Sequence, residues 1–386
     1  MSVSSTLPIP DRDAKQLSDG LLSEIMLEIK SFGEISFARY MELCLYAPQW
    51  GYYRNTLKKF GKDGDFVTAP EISSLFSYCL ANQCAEILNT MGGGDILEFG
   101  AGSGVMAADI LHALKEKNQL PTHYYILEIS GFLKALQHET ILKKIPDCLD
   151  RVIWLDTLPE KKIQGVILAN EVLDAMPVHQ FIYKNSIKEC VVTIENNHLI
   201  SAVSEKENAQ LISSLKKYDV HFLENYTSEI NLYLPGWIKS ISDSVSRGVV
   251  LIIDYGFPRH EYYHPDRSQG TIMCHYRHHS HGNPLIFPGI QDMTAHVDFT
   301  AVAEAAVENG FTVSGFTHQA AFLINCDLLS LMHETSDEKK RFLQNQQIMQ
   351  LTSPSEMGEL FKVIALSKEF DHNLLGFRMM DHRMRL

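Results

Sequence analysis

Short apolar segments alternate with helical patterns through the middle of this 386-residue chain. Five of these segments have the length and composition of buried strands: residues 95–99, 124–127, 152–155, 166–169 and 249–253. Near-continuous apolar strands separated by helices are typical of a parallel sheet that is covered by helices on both faces. The sequence therefore predicts an α/β fold built on a Rossmann-like sheet.

The residues outside the predicted sheet indicate additions to it. Residues 1–90 are mainly helical in pattern and form a predicted N-terminal extension, and residues 91–386 form the sheet domain. Two connections, at about 178–247 and 257–297, are too long for ordinary crossovers, so we interpret them as insertions after the fourth and fifth strands. Three segments of the first insertion, residues 178–183, 189–194 and 199–203, predict a hairpin extension with one turn at Asn196-Asn197.

A glycine-rich turn follows the first predicted strand. The strand ends with an acidic residue, Glu98, and the turn contains Gly100, Gly102 and Gly104 before a predicted helix begins. Glycines allow a sharp turn and a close approach of the backbone to a ligand, with helix amides facing the pocket. Since Gly102, Gly104 and Ala107 also fit the dinucleotide fingerprint, NAD, FAD and S-adenosylmethionine (SAM) are all candidates on this turn alone. The alternative is a tight connection between strand and helix that binds no ligand.

Two acidic residues follow the next strands. Glu128 ends the second strand, where a carboxylate can accept hydrogen bonds from both ribose hydroxyls of a nucleotide. Asp156 follows the third strand, close to the expected position of an adenine, although it fits a helix N-cap or a turn equally well. The glycine turn together with Glu128 predicts a nucleotide site.

The fourth strand runs into an amide and two carboxylates, Asn170, Glu171 and Asp174. Ligands of open α/β sheets bind at this carboxyl edge. Methyl transfer needs a nucleophile in line with the methyl group, and carboxylates can hold, orient and partly deprotonate a guanidinium or an amine. We therefore predict these three residues to be catalytic. The alternative is that Asn170 and Asp174 only cap a helix and that Glu171 is solvated.

Four further residues are candidates for the substrate pocket. Asp254 and Tyr255 close the fifth strand at the same edge, where Asp254 either lines the pocket or caps a backbone segment. Asp292 and His296 lie in the second insertion and could face the site, whereas Asp298 is placed to cap the next helix.

Composition disfavours several other classes of function. The net charge of −13 gives no general attraction to a phosphate backbone, so nucleic acid is a disfavoured substrate. The seven cysteines are scattered without a CxxC pair and are typical of reduced thiols. The histidines between 275 and 281 surround Arg277 without a nearby carboxylate triad, so we predict no metal site.

The sequence also predicts where the protein is found. No apolar stretch approaches the roughly 20 residues that a membrane span needs. The first residues lack the apolar region of a signal peptide, and Asp11 and Asp13 argue against a mitochondrial transit peptide. We therefore expect a cytoplasmic protein.

Several segments resemble the MidA / complex I assembly factor 7 family of SAM-dependent methyltransferases. The matching segments are residues 37–41, 48–53, 64–73, the glycine turn, 169–177, 253–256 and 291–298. They span most of the chain and form a specific set. We expect no targeting extension like that of the mitochondrial members, so the chain resembles a bacterial-type relative.

The resemblance implies a class I methyltransferase fold with SAM as cofactor. It assigns Gly100, Gly102, Gly104 and Glu128 to the cofactor site. A further segment of the N-terminal extension, containing Thr68, Pro70 and Glu71, would cover the cofactor. The segment of Asn170, Glu171 and Asp174 would be the arginine-facing loop.

The same resemblance implies a function, to which two alternatives remain. Mitochondrial members are similar in activity to protein arginine methyltransferases and act on a subunit of respiratory complex I, so we expect a protein substrate of this kind. One alternative is a SAM-binding assembly factor with little turnover. Another is a dinucleotide-dependent oxidoreductase, which is disfavoured because about 90 residues precede the first strand. Formation of a homodimer is left open.

Overall fold

The computed structural model describes residues 7–57, 59, 68–332 and 337–386. Residues 64–67, part of one segment of the family resemblance, lie outside the described residues. No helix of the described part is long and apolar enough to cross a membrane.

Helices and strands alternate through most of the chain. The α-helices are α1 Arg12–Phe32, α2 Phe37–Tyr46, α3 Ala69–Ile72, α4 Ser74–Met91, α5 Val105–Glu116, α6 Gly131–Lys144, α7 Ala209–Lys216, α8 Leu234–Ser244, α9 Arg259–Tyr262, α10 Phe299–Glu308, α11 Gln319–Asn325, α12 Glu338–Thr352 and α13 Met357–Leu360. The strands are β1 Ile35–Ser36, β2 Asp95–Phe99, β3 Tyr124–Leu127, β4 Val152–Leu155, β5 Ile163–Asn170, β6 His179–Lys184, β7 Ser186–Glu195, β8 His198–Val203, β9 Thr227–Ile230, β10 Val245–Phe257, β11 Met273–Tyr276, β12 His279–His281, β13 Asp292–Thr294, β14 Val297–Asp298, β15 Thr312–His318 and β16 Phe361–Lys368.

Backbone contacts divide the chain into two compact units. The first unit consists of Met1–Phe66, Asp174–Leu234 and Arg259–His296, and the second of Val67–Leu173, Pro235–Pro258 and Val297–Leu386. The first unit thus collects most of the N-terminal part and most of both predicted insertions. The division at residue 90 between extension and sheet domain stays a prediction.

The second unit contains the predicted sheet. Its strand order is β15-β16-β10-β5-β2-β3-β4, with β14 beside β10. The five predicted strands are β2, β3, β4, β5 and β10, and they pair in parallel. Strand β16 runs antiparallel to both of its neighbours, β10 and β15. The α/β class and the Rossmann-like sheet are therefore confirmed.

Both faces of this sheet are covered, as the apolar strand sequences predict. Ile252 and Ile253 are consecutive in β10, so their side chains point to opposite faces, and neither is exposed to solvent. Each such burial stabilises the fold by roughly 1.5–3 kcal/mol relative to an exposed side chain.

The register of the sheet sets the position of the functional residues. Phe99 of β2 aligns with Leu127 of β3 on one side and with Ala169 of β5 on the other. The chain enters at β2, continues to β3 and β4, and then returns to β5 on the opposite side of β2. A ligand crevice is expected where the order reverses in this way, outside the carboxyl ends of the strands.

The first unit contains two smaller antiparallel sheets. One has the order β1-β7-β6-β9 with β8 paired to β7, and the other has the order β12-β11-β13. The turn between β7 and β8 contains Asn196 and Asn197, which have φ values of 48° and 63°. Two consecutive left-handed residues form the tight turn that a twisted hairpin requires, which confirms the predicted hairpin.

Candidate active site

The glycine turn connects β2 to α5 in the second unit. Gly100, Gly102 and Gly104 have φ values of 57°, 53° and 83°, in the left-handed region that glycine adopts without strain. The α5 helix has no side-chain cap, so its first amides remain suited to a ligand acceptor. A Cβ atom on Gly100 would have Val172 Cγ2 as its nearest neighbour, at 4.0 Å. The turn is therefore open on this side.

The carboxyl group of Glu98 lies buried at the end of β2. The side chain is 1% exposed, and the Tyr124 hydroxyl donates to Oε2 at 2.7 Å. Burial raises the pKa of Glu98, the Tyr124 hydrogen bond lowers it and the nearby Glu128 carboxylate raises it, and together they bring it to about 7. The group is consequently protonated for part of the time near neutral pH.

Replacing Glu98 by glutamine should flatten the pH dependence of stability. Because the pKa of Glu98 is raised from 4.5 to about 7 on folding, its stabilising contribution is complete below pH 4.5 and is lost as the pH rises through about 7. The shift is worth ~3 kcal/mol. The free energy of unfolding, measured by denaturant titration between about pH 5 and about pH 8, should fall more in the wild type than in Glu98→Gln. An equal fall of the free energy of unfolding in both proteins would contradict a raised pKa at Glu98.

Glu128 follows β3, level with the glycine turn. It is 6% exposed, and its Oε1 atom accepts a bond of 2.8 Å from the Ser130 amide. Its Oε2 atom accepts a bond of 3.0 Å from Gln137 Nε2. Burial raises the pKa of Glu128, while both hydrogen bonds favour its charged form. The carboxylate is thus held in one orientation beside the turn.

Asp156 lies where the sequence places it, directly after β4. Its side chain is 86% exposed and forms an ion pair of 2.6 Å with Lys134. Exposed pairs of this kind contribute only about 0–1 kcal/mol. The predicted role of Asp156 near the cofactor is not decided by this contact and stays a prediction.

The segment from Thr68 to Glu71 approaches the glycine turn in the second unit. Thr68 precedes the short helix α3, and Pro70 is buried in its first turn. The Ser103 hydroxyl, which belongs to the glycine turn, donates to Glu71 Oε1. The structure therefore brings Glu71 to the predicted cofactor site. No sequence pattern indicated the contact of Ser103 with Glu71.

The backbone directly after β5 adopts an unusual conformation. Glu171 has a φ of 51°, in the left-handed region that few residues other than glycine occupy. Its amide donates to the Ile253 carbonyl at 2.9 Å. The carboxylate of Asp254 accepts from the amides of Val172 and Leu173 at 3.2 and 2.9 Å. Of the two roles predicted for Asp254, the structure therefore supports the anchoring of a backbone segment.

Asn170 and Glu171 lie side by side at the end of β5. Asn170 Nδ2 donates to Glu171 Oε1 at 3.2 Å. The Oδ1 atom of Asn170 is buried and has no hydrogen-bond partner among the described residues. Because buried polar atoms are nearly always hydrogen-bonded, this oxygen is a candidate acceptor for a ligand N–H group. Tyr255, the other candidate on β10, is half-buried and contacts Phe361.

The remaining candidates lie in the first unit and form a cluster of their own. The Tyr53 hydroxyl donates to Asp292 Oδ1 at 2.9 Å, and the Ala295 amide donates to the Asp174 carbonyl at 2.9 Å. Asp174 and Asp292 are buried, and burial together with these two carboxylates raises the pKa of Tyr53. His296 is half-buried in the same segment. The catalytic and substrate roles of these residues stay predictions.

Asp298 has the role that its position predicts. Its Oδ1 atom accepts from the Ala301 amide at 3.1 Å and so caps α10.

Comparisons with known proteins agree with this geometry. Residues 79–317, more than half of the chain, match a family described as "Putative S-adenosyl-L-methionine-dependent methyltransferase". The crystal structure of a Burkholderia thailandensis protein bound to S-adenosyl-homocysteine is 41% identical, covers 99% of this chain and all of its own, and has a TM-score of 0.95.

Two curated relatives are similar over most of their length. A Drosophila melanogaster protein named protein arginine methyltransferase NDUFAF7 homolog, mitochondrial, is 28% identical over 90% of this chain and 84% of its own. The Bos taurus protein arginine methyltransferase NDUFAF7, mitochondrial, is 29% identical over 90% of this chain and 83% of its own.

These similarities decide between the cofactors that the glycine turn admits. The open left-handed turn and the buried Glu128 carboxylate fit SAM, and the related crystal structure contains the demethylated form of that cofactor. The similarities to known proteins therefore favour a methyltransferase over a dinucleotide-dependent oxidoreductase. The chain belongs to the family of SAM-dependent methyltransferases, and SAM is its cofactor.

Proposed function

We propose that this protein transfers the methyl group of SAM to a guanidinium nitrogen of a protein arginine. The curated relatives are named protein arginine methyltransferases, which supports this acceptor. The observation that carries the proposal is the left-handed Glu171 with its carboxylate bonded to Asn170 at the carboxyl edge of β5.

The proposed cofactor site combines the turn with carboxylates from neighbouring strands. Its members belong to the second unit: Glu98, Gly100, Gly102, Gly104, Glu128, Asp156, Thr68, Pro70 and Glu71. Glu128 would accept the ribose hydroxyls, because each carboxylate oxygen can accept a further hydrogen bond besides the one from the Ser130 amide or from Gln137. The support for Glu71 is its bond from Ser103 in the turn.

The chemistry of an arginine acceptor suits the residues after β5. When bound, SAM supplies an electrophilic methyl group on a sulfonium. The Glu171 carboxylate would bind a guanidinium N–H in a charge-assisted hydrogen bond, and Asn170 Oδ1 would accept a second. As the N–C bond forms and the S–C bond breaks, the electron pair remains on sulfur and the nitrogen loses a proton to a carboxylate.

Four more residues complete the proposed site, and a fifth supports its backbone. Asp174 enters as the second catalytic carboxylate from the sequence alone. Asp292 and His296, with Tyr255, are proposed to contact the substrate, whereas Asp254 acts by holding residues 172 and 173. A subunit of a respiratory complex is the proposed kind of partner because of the family resemblance of the sequence, and the names of the relatives support a protein substrate. The cytoplasmic location stays a prediction.

The nature of the acceptor can be tested directly. Purified protein, methyl-labelled SAM and an extract from cells lacking this protein should give labelled protein whose acid hydrolysate contains labelled methylarginine. Addition of S-adenosyl-homocysteine should suppress the label, because it competes for the cofactor site. Label found only on other side chains, with none on arginine, would refute the proposed acceptor while leaving the methyltransferase assignment intact.

A further inference from the structure

A buried glutamine connects three parts of the proposed cofactor site. Gln137 lies in α6 and has no solvent exposure. Its Nε2 atom donates to the Gly102 carbonyl at 3.1 Å and to Glu128 Oε2 at 3.0 Å. Its Oε1 atom accepts from the Trp154 indole at 3.0 Å. One side chain therefore contacts the glycine turn, the carboxylate after β3 and strand β4.

The chemistry of these partners fixes the orientation of the amide. An indole N–H can only donate, and a carbonyl or a carboxylate can only accept. Trp154 therefore requires the amide oxygen on its side, and Gly102 with Glu128 requires the nitrogen on the other. Both N–H groups of Gln137 are used, so the side chain is held without an alternative orientation.

The backbone of Gln137 makes a second kind of contact with the same turn. A Cβ atom added to Gly104 would lie 2.9 Å from the Gln137 Cα and 3.2 Å from its Cβ and carbonyl oxygen. The turn thus packs directly against α6 at this residue. Packing and hydrogen bonding together set the distance between the turn and Glu128.

We propose that Gln137 is a positioning residue for SAM. It holds the Glu128 carboxylate in the orientation that meets the ribose and fixes the Gly102 carbonyl, without touching the reacting atoms. The inference rests on the proposed cofactor site at Glu128. It does not depend on the methyl acceptor, because its tests measure cofactor binding.

The first test compares two buried glutamines of the second unit. Gln137→Leu should weaken SAM binding, measured by titration calorimetry, by roughly 10- to 100-fold, since Glu128 loses a partner while remaining buried. Gln83 is equally buried, but it donates to Glu86 and accepts from the Gly376 amide, away from the proposed site. Gln83→Leu should lower thermal stability and leave SAM affinity within about twofold.

The second test uses pH and remains informative if Gln137→Leu fails to fold. In Gln137→Glu, a protonated side chain can still donate to Glu128, whereas an ionised one repels it. SAM affinity relative to wild type should therefore recover as the pH falls from about 8 to about 6. Trp154 fluorescence should change over the same range, because its hydrogen-bond partner changes charge.

The outcomes separate the inference from the site assignment. Glu128→Gln should weaken SAM binding if the site is correct. If it does so while Gln137→Leu binds SAM as the wild type does, or while Gln137→Glu shows no dependence on pH, the positioning role is wrong and the site stands. Unchanged binding by Glu128→Gln would overturn both.

Discussion

Glu171→Gln should transfer methyl groups roughly 10²- to 10³-fold more slowly than the wild type while binding SAM with unchanged affinity. Glutamine has nearly the same shape but cannot pair with a guanidinium as an anion or accept its proton. The cofactor residues proposed above do not include Glu171, so SAM binding should be preserved. The measurements are the initial rate of methyl transfer to protein and calorimetry with SAM.

The chain provides a matched control for this substitution. Glu369 is also a left-handed glutamate, with a φ of 49°, but it is exposed at the end of β16. Glu369→Gln should leave both the rate and SAM affinity unchanged. Retained transfer by Glu171→Gln would remove Glu171 from the catalytic set.

The conformation of Glu171 permits a second comparison. A left-handed non-glycine residue costs on the order of 1 kcal/mol or more, so Glu171→Gly should be at least as stable as the wild type. It should nevertheless lose methyl transfer, because the carboxylate is absent. Such a result would show that the left-handed backbone at residue 171 serves the placement of the carboxylate and does not stabilise the fold.

The strands of the methyltransferase sheet could be predicted because each carries its own signal. The apolar runs at β2, β3 and β4 coincide with the observed strands, and β5 and β10 extend further than predicted. Burial on both faces requires uninterrupted apolar residues, and this requirement is visible in a local sequence.

The pairing of distant segments has no comparable local signal. Strands β15 and β16 were not predicted, and β16 lies between β10 and β15 although it follows both in sequence. Ile35 of the two-residue β1 pairs with Val192 in the first unit. Each of these pairings needs a free strand edge of a sheet in the folded unit. Which edges are free depends on the arrangement of all the strands in that unit and not on the local sequence.

Within the site, the sequence identified chemical groups more readily than their supports. The glycine turn and Glu128 were recognisable because their residue types match a known need of nucleotide ligands. Gln137 is one glutamine in an ordinary helix, and its importance comes from partners on three other segments. For Asp254 the sequence allowed two roles, and its bonds from the amides of Val172 and Leu173 support the anchoring one, whereas a role in the substrate pocket stays a prediction.

Gly104→Ala should weaken SAM binding by roughly 100-fold and should destabilise the fold by about 1–3 kcal/mol through overpacking. Its φ of 83° is unfavourable for alanine, and the new methyl group would lie 2.9 Å from the Gln137 Cα. Because the obstacle is backbone, no side chain can rotate away. The α6 helix would have to move, and Gln137 would carry Glu128 out of position.

The variant Gly92→Ala separates the backbone cost of a left-handed alanine from the collision with α6. Gly92 ends α4 in the left-handed region with a φ of 78°, and nothing lies within 4 Å of an added Cβ. It shares the backbone cost, on the order of 1 kcal/mol, but not the collision. Denaturant titration and calorimetry with SAM should therefore show reduced stability for both variants and a loss of affinity for Gly104→Ala alone. If both variants bind SAM normally, the close packing of α6 against the turn does not shape the cofactor site.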